Sequence, residues 1–150
     1  MRHLIFIILF FISGCGDEVT QTPPKPSSVP VNAVWSGGPD GGSWFICNKS
    51  SLLIYKCDIY WDSDGSLKAS GNYILQRKIW SGERNRFAYI DPTNNHIDIK
   101  YNFFDGIHIH LLDEHILIPD GIITYPFSDG IHGKKQNYNK GEIAGSEIEY

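Results

Sequence analysis

The sequence predicts an all-β domain, a small antiparallel meander that forms a barrel or a sandwich. Apolar and polar residues alternate with a period of two over residues 96–112, which is the spacing of a strand with one buried face. No apolar stripe at helical spacing extends beyond two turns. Clusters of Gly, Pro, Asp and Asn interrupt the alternation at short intervals, and turns of this kind join about eight short strands.

Turn signals order the predicted strands along the chain. Residues 37–42, Gly-Gly-Pro-Asp-Gly-Gly, form the first turn and allow Trp35 and Trp44 to fold over one end of the domain. Three further turns are predicted at 62–65, 91–95 and 119–121, and they separate strands at 54–61, 67–76, 86–90, 116–118 and 122–125. After Phe127 the chain is polar and glycine-rich, which predicts a loop, and residues 147–150 add an edge strand.

The hairpin within residues 96–112 is expected to close with a three-residue loop around Gly106. That loop pairs Phe103 with Ile107 and Tyr101 with Ile109, so that apolar residues share one face. A two-residue turn would mix the two faces, because a slip of one residue inverts every side chain.

The polar face of this hairpin carries the candidate metal ligands His96, Asp98, His108 and His110. Two imidazoles and a carboxylate on one sheet face are the donor types of a zinc or copper site. In the favoured register Lys100 lies opposite His110, and an ammonium beside the cluster repels a cation. An exposed polar face explains the same residues without a metal, and no metal or other cofactor is predicted.

Asp62 and Asp64 resemble the start of a calcium-binding loop. Residues 66–75 contain no carboxylate that would close such a loop, so a simple hairpin turn is predicted instead.

The first residues predict export and lipid attachment. Residues 1–3 give a positive start, and residues 4–12 are all apolar, about 13 Å of helix, which is too short to span a bilayer and is typical of a signal peptide. Residues 12–15, Ile-Ser-Gly-Cys, resemble the lipobox of bacterial lipoproteins. The resemblance implies cleavage before Cys15 and its acylation with diacylglycerol and chains such as palmitate, so the lipid bilayer is an expected partner. Gly16 favours the outer membrane, facing the periplasm, because an Asp at that place signals inner-membrane retention in Gram-negative lipoproteins.

These features divide the chain into a signal peptide at 1–14, a lipidated cysteine with a proline-rich tether at 15–31, and a single β-rich domain at 32–150. The tether contains four of the eight prolines and is expected to be disordered. Proline favours the extended polyproline conformation, which gives this segment a reach of roughly 45 Å.

The remaining cysteines predict a disulfide, and the net charge argues against a nucleic-acid-binding protein. Once Cys15 carries lipid, Cys47 and Cys57 remain as an even pair outside the cytoplasm, where disulfides persist. We therefore expect a structural disulfide between them. The net charge of −4 argues against nucleic-acid binding, which needs a basic face.

The sequence contains no motif that selects a catalytic residue, since the Gly-x-Ser-x-Gly elbow and the nucleotide-binding fingerprints are absent. The prediction is a non-catalytic envelope lipoprotein that acts as a binding or structural module for an envelope or foreign protein. The alternatives are an inhibitor or immunity protein against a lysozyme or toxin, and a metal or small-ligand binder. Residues 70–73, Ser-Gly-Asn-Tyr, are similar to a longer segment that lysozyme-inhibiting lipoproteins insert into the lysozyme cleft.

Overall fold

The computed structural model describes residues 22–80, 87–92 and 100–150, and in these ranges the chain is all-β, as predicted. The lipobox with Cys15 lies outside the described residues, as do His96 and Asp98. The described residues include no helix of the length and apolarity needed to cross a membrane. The strands are β1 (Val34–Gly38), β2 (Gly41–Lys49), β3 (Ile54–Trp61), β4 (Leu67–Trp80), β5 (Phe87–Ile90), β6 (Tyr101–Phe104), β7 (Ile109–Leu111), β8 (His115–Pro126), β9 (Gly133–Asn139), β10 (Glu142–Ile143) and β11 (Ile148–Glu149).

All strands belong to one antiparallel sheet in which neighbours along the chain mostly pair with each other. The order across the sheet is β1-β2-β3-β4-β8-β7-β6, with β5 added to β4, β9 added to β8, and both β10 and β11 paired with β9. The predicted strand at 54–61 coincides with β3, and the predicted edge strand near the C-terminus is present as β11. The predicted turns at 37–42 and 62–65 are also present, the first as a tight Pro39-Asp40 turn.

The sheet curls so that its two outermost strands approach each other. Within the described ranges no ladder joins β1 to β6, yet Ser36 Oγ donates to the carbonyl oxygen of Asn102 at 2.6 Å. Phe45 of β2 stacks on Tyr101 of β6, with ring centroids 5.0 Å apart. The curled sheet encloses the main core on its concave face, where Phe45, Ile59 and Leu75 are fully buried. Burial of this face supplies the main driving force for folding.

The disulfide between Cys47 and Cys57 is formed, as predicted. The two residues are direct partners across β2 and β3, so the bond closes a hairpin whose strands are already paired. Cys57 is fully buried and belongs to the main core.

The predicted turn at residues 119–121 is wrong, because β8 runs through these residues as one strand. Tyr73 of β4 opposes Pro119 and Gly71 opposes Ile123, so three residues of β8 face a single residue of β4. The segment is therefore a bulge, in which Gly121 has a φ of 85°. The bulge bends β8 at the point where its outer partner changes from β7 to β9.

The predicted loop after Phe127 is also wrong, because it contains the seven-residue strand β9. Gln136 and Tyr138 alternate inward along this strand and are each 6% exposed. The hydroxyl of Tyr138 is hydrogen-bonded to that of Tyr125 at 3.1 Å.

The hairpin of β6 and β7 has a different register from the predicted one. Phe104 pairs with Ile109 and Phe103 with His110, so the loop contains four residues rather than three. Lys100 is consequently not the cross-strand partner of His110; Phe103 occupies that place. The predicted placement of the Lys100 ammonium opposite His110 is therefore wrong.

Part of the segment assigned to the tether packs on the sheet. Val29 is 5% exposed and forms a second small cluster with Ala33 and Trp44. Lys25 Nζ donates to the carbonyl oxygens of Val31 and Ala33, at 2.7 and 2.5 Å, and lies over the Trp44 ring. The folded part of the chain thus begins before residue 32.

Candidate functional site

A groove of about 450 Å³ opens where the β1–β2 turn, the β3–β4 turn and β6 meet. Its volume falls within the range of about 300–1,000 Å³ that is usual for ligand sites. Trp61 follows the fully buried Ile59 by two residues, so it lies on the core face of β3 at the end of the sheet. Trp61 is 44% exposed there, and the glycine-rich hairpin of β1 and β2, whose Ser43 pairs with Trp61, also lines the groove.

Lys68 is directed into this groove by a β-bulge. Ile59 pairs with Ala69 and Tyr60 with Leu67, so Lys68 is an extra residue without a cross-strand partner. A bulge of this kind re-aims a side chain out of the regular alternation. The polar end of Lys68 donates to Ser43 Oγ at 3.2 Å.

The ammonium of Lys68 lies among aromatic rings rather than in an ion pair. Its Nζ is 3.9 Å from the centroid of the Trp61 ring and 5.2 Å from that of Phe104. Burial lowers the pKa of Lys68, and the nearby carboxylate of Asp62 opposes that effect. No carboxylate in the described ranges is within salt-bridge distance of this ammonium. Asp62 instead accepts a hydrogen bond from the backbone N–H of Gly42 at 2.6 Å.

A second constellation forms in the four-residue loop between β6 and β7. Asp105 Oδ1 accepts the backbone N–H groups of Ile107 and His108 at 2.9 and 2.6 Å, which closes the loop. Its other oxygen, Oδ2, lies 3.1 Å from His108 Nδ1 and 2.9 Å from His110 Nε2. One carboxylate oxygen thus contacts two imidazoles while the other fixes the carboxylate to the backbone.

The two imidazole rings are held in place by aromatic neighbours. His110 stacks on Phe103 with centroids 4.1 Å apart and an angle of 7° between the planes. His108 meets His110 edge to face at 6.3 Å and lies 6.4 Å from the Tyr89 ring. All three side chains of the cluster remain partly exposed, so solvent reaches them.

The electrostatics of Asp105 are dominated by this network. Burial alone raises the pKa of its carboxyl, but hydrogen bonds from His108, His110 and the backbone of Ile107 together outweigh burial. The pKa of Asp105 is therefore held well below its usual range, and the group is a carboxylate at neutral pH.

The structure brings together His108 and His110, two of the four candidate metal ligands. The third member of their cluster is Asp105, which the sequence pattern predicts as a turn residue and not as a ligand. A signal for it is present in the sequence, because Asp-Gly-Ile-His occurs twice, at 105–108 and at 129–132. No comparable sequence pattern indicates that Lys68 faces the groove, because the alternation of polar and apolar residues does not reveal a bulge.

Two other sequence patterns have structural explanations. Asp64 Oδ1 accepts the backbone N–H and the hydroxyl of Ser66 in the β3–β4 turn. Residues 70–73 lie inside β4, paired with β3 on one side and β8 on the other, and Tyr73 is fully buried. This segment is not a projecting loop that could enter the cleft of another protein.

Comparison of the chain with protein-family models, with curated proteins and with solved structures finds no match.

Proposed function

We propose that the chain is a bacterial envelope lipoprotein, anchored through acylated Cys15 in the outer membrane and facing the periplasm. The support is the order of a positive start, a short apolar segment and the Ile-Ser-Gly-Cys quartet. The formed disulfide agrees with an oxidising compartment.

We further propose that the domain is a non-catalytic module that binds a protein partner in the groove beside Trp61. The observation that carries this proposal is the ammonium of Lys68 between two aromatic rings, with no carboxylate of the described ranges at salt-bridge distance. A half-exposed tryptophan next to a cation offers apolar area and charge to one incoming group. The matching partner presents a carboxylate beside an apolar or aromatic side chain, which would give Lys68 the counter-ion that the described part of the chain does not supply.

The anchor is tested by fractionation of the full chain and of Cys15→Ser in a Gram-negative host. We expect the unmodified chain in the outer-membrane fraction with acyl chains on Cys15 by mass spectrometry. The variant is expected in the soluble periplasmic fraction. Recovery of both proteins in the same soluble fraction would contradict the anchor.

The groove is tested by cross-linking the full chain to envelope proteins and identifying the captured partner by mass spectrometry. Lys68→Gln removes the charge at similar size, and Trp61→Ala removes the ring. Ile122→Ala is the matched control, because Ile122 is 61% exposed and lies on β8 away from the groove. We expect capture by the unmodified chain and the control, and at least a tenfold loss in both groove variants. A partner that all four proteins retain equally would contradict the groove as its site.

The identity of the partner separates the remaining functional classes. A stoichiometric lysozyme or toxin would make the protein an inhibitor or immunity lipoprotein, acting through the groove rather than through residues 70–73. If no protein is captured and an acidic small molecule binds the unmodified chain but not Lys68→Gln, the groove of about 450 Å³ is the site of a small ligand.

A further inference from the structure

We infer that Asp105, His108 and His110 bind one divalent transition-metal ion of the zinc class. None of the three residues lines the groove, although the site adjoins it through Phe103, which lines the groove and stacks on His110. The inference does not depend on the proposed function. It differs from the set predicted from sequence, in which His96 and Asp98 accompanied the two histidines.

The geometry of the donor atoms is close to that of a coordinated ion. One carboxylate oxygen and two ring nitrogens lie within 4.8 Å of one another. Two donors at about 2.1 Å from a tetrahedral ion are about 3.4 Å apart. The two measured N···O separations are 3.1 and 2.9 Å, within a few tenths of an ångström of this value. The two ring nitrogens lie within 4.8 Å of each other, so insertion of an ion requires the rings to move together by up to about 1.4 Å. The ion takes the place of the hydrogens on His108 Nδ1 and His110 Nε2, and each neutral ring then carries its hydrogen on the other nitrogen.

Neighbouring backbone and aromatic groups hold the donor atoms in an orientation that suits a metal ion. The backbone N–H groups of Ile107 and His108 hold Asp105 Oδ1, which leaves Oδ2 directed at the rings. Stacking on Phe103 fixes the His110 ring. Such outer contacts orient the ligands of natural metal sites. Partial exposure of the cluster leaves a coordination position for water or a further ligand.

The type of donor selects the class of ion. Two imidazole nitrogens with one carboxylate suit zinc and its neighbours rather than calcium or magnesium, which prefer all-oxygen sites.

A second Asp-Gly-Ile-His segment in the chain shows which contacts the turn produces by itself. In the second Asp-Gly-Ile-His segment, Asp129 Oδ1 accepts the backbone N–H groups of Ile131 and His132 at 2.9 and 3.0 Å. Asp129 Oδ2 contacts His132 Nδ1 at 2.6 Å, so the local arrangement is the same. The turn by itself therefore explains one Asp–His pair. It does not explain His110, whose counterpart in the second segment is Lys134.

The test is a titration of the full chain, solubilised in detergent and without a histidine tag, with zinc chloride in a calorimeter. We expect one equivalent of zinc to bind with a micromolar or lower dissociation constant. His110→Ala, which lies outside the turn, should weaken binding at least about 100-fold, because even outer-shell changes cost 10–100-fold. His132→Ala should leave the affinity unchanged.

Asp105→Asn provides a second variant, with Asp129→Asn as its control. Asp105→Asn should lose zinc, and with cobalt as the probe it should lose the visible absorption band of a tetrahedral site. Circular dichroism establishes that each variant is folded. The inference is overturned if zinc does not bind at micromolar concentration, if His110→Ala binds as tightly as the unmodified chain, or if His132→Ala is equally impaired.

Discussion

Gly71→Ala should destabilise the protein, because the backbone of β8 packs closely against Gly71 of β4. It pairs with Cys57 on one side and Ile123 on the other. A Cβ at this position would lie 2.8 Å from the carbonyl oxygen of Ile122 and 3.1 Å from the Cα of Ile123. These neighbours are backbone atoms of a paired strand, so they cannot move without disturbing the ladder. Overpacking of this kind costs about 1–3 kcal/mol.

Alanine also lowers the conformational entropy of the unfolded chain, which offsets about 0.4–1 kcal/mol of this cost. The expected net loss in the free energy of unfolding is therefore about 1–2 kcal/mol. Gly38→Ala is the matched control, because Gly38 lies in β1 and its added Cβ meets nothing within 4 Å. The assay is equilibrium urea unfolding followed by tryptophan fluorescence, where the midpoint should fall by roughly 0.5–1 M at an unchanged slope. A Gly71→Ala protein as stable as the Gly38→Ala protein would refute the close approach of the two strands.

Three further predictions concern the core. Reduction of the Cys47–Cys57 disulfide should lower the free energy of unfolding by about 3 kcal/mol, which is the chain-entropy value for a loop of this length. Urea unfolding midpoints with and without reductant measure the loss. Tyr73→Phe should raise stability by about 1 kcal/mol, because its buried hydroxyl has no hydrogen-bond partner among the described residues, whereas Tyr138→Phe should lower it by a similar amount. Burial raises the pKa of Tyr101 to about 12, whereas a tyrosine in the unfolded chain has a pKa of about 10. As the pH rises from 10 to 12 the unfolded chain loses this proton first, so the free energy of unfolding should fall by up to about 3 kcal/mol, with no loss from this group below pH 10. Thermal unfolding that is unchanged between pH 9 and pH 11.5 would contradict this assignment.

The fold could be predicted where local signals and long-range pairing agree. Residues 54–61 alternate in hydrophobicity and end at an Asp-rich turn, and the observed strand has the same bounds. Residues 119–121 carry an equally clear turn signal, yet they form a bulge. The reason is that β8 is paired on both sides, and those partners keep the chain extended through a sequence that would otherwise reverse it. A local sequence does not contain this information.

The candidate sites show the same limit at the level of side chains. Alternation predicts that His108 and His110 project to the same side, and both rings do contact one oxygen of Asp105, although His108 lies in the loop and not in a strand. Their carboxylate partner depends on the loop length. A four-residue loop leaves Asp105 free to cap its own turn and to reach both rings. Lys68 faces the groove only because one extra residue is accommodated opposite β3. Both features follow from register, which short strands specify weakly.

The path of the chain before β1 bears on where a partner would meet the protein. Ser28 Oγ donates to the carbonyl oxygens of Asp64 and Gly65, so the N-terminal segment is fixed beside the β3–β4 turn. The same turn borders the groove, since Asp62 and Trp61 line it. With Lys25 also bonded to the domain, about ten residues separate Cys15 from the folded part, a reach of roughly 31 Å rather than the predicted 45 Å. An anchor at Cys15 would therefore keep the start of the folded part, and the β3–β4 turn on which it packs, within a few tens of ångströms of the lipid surface.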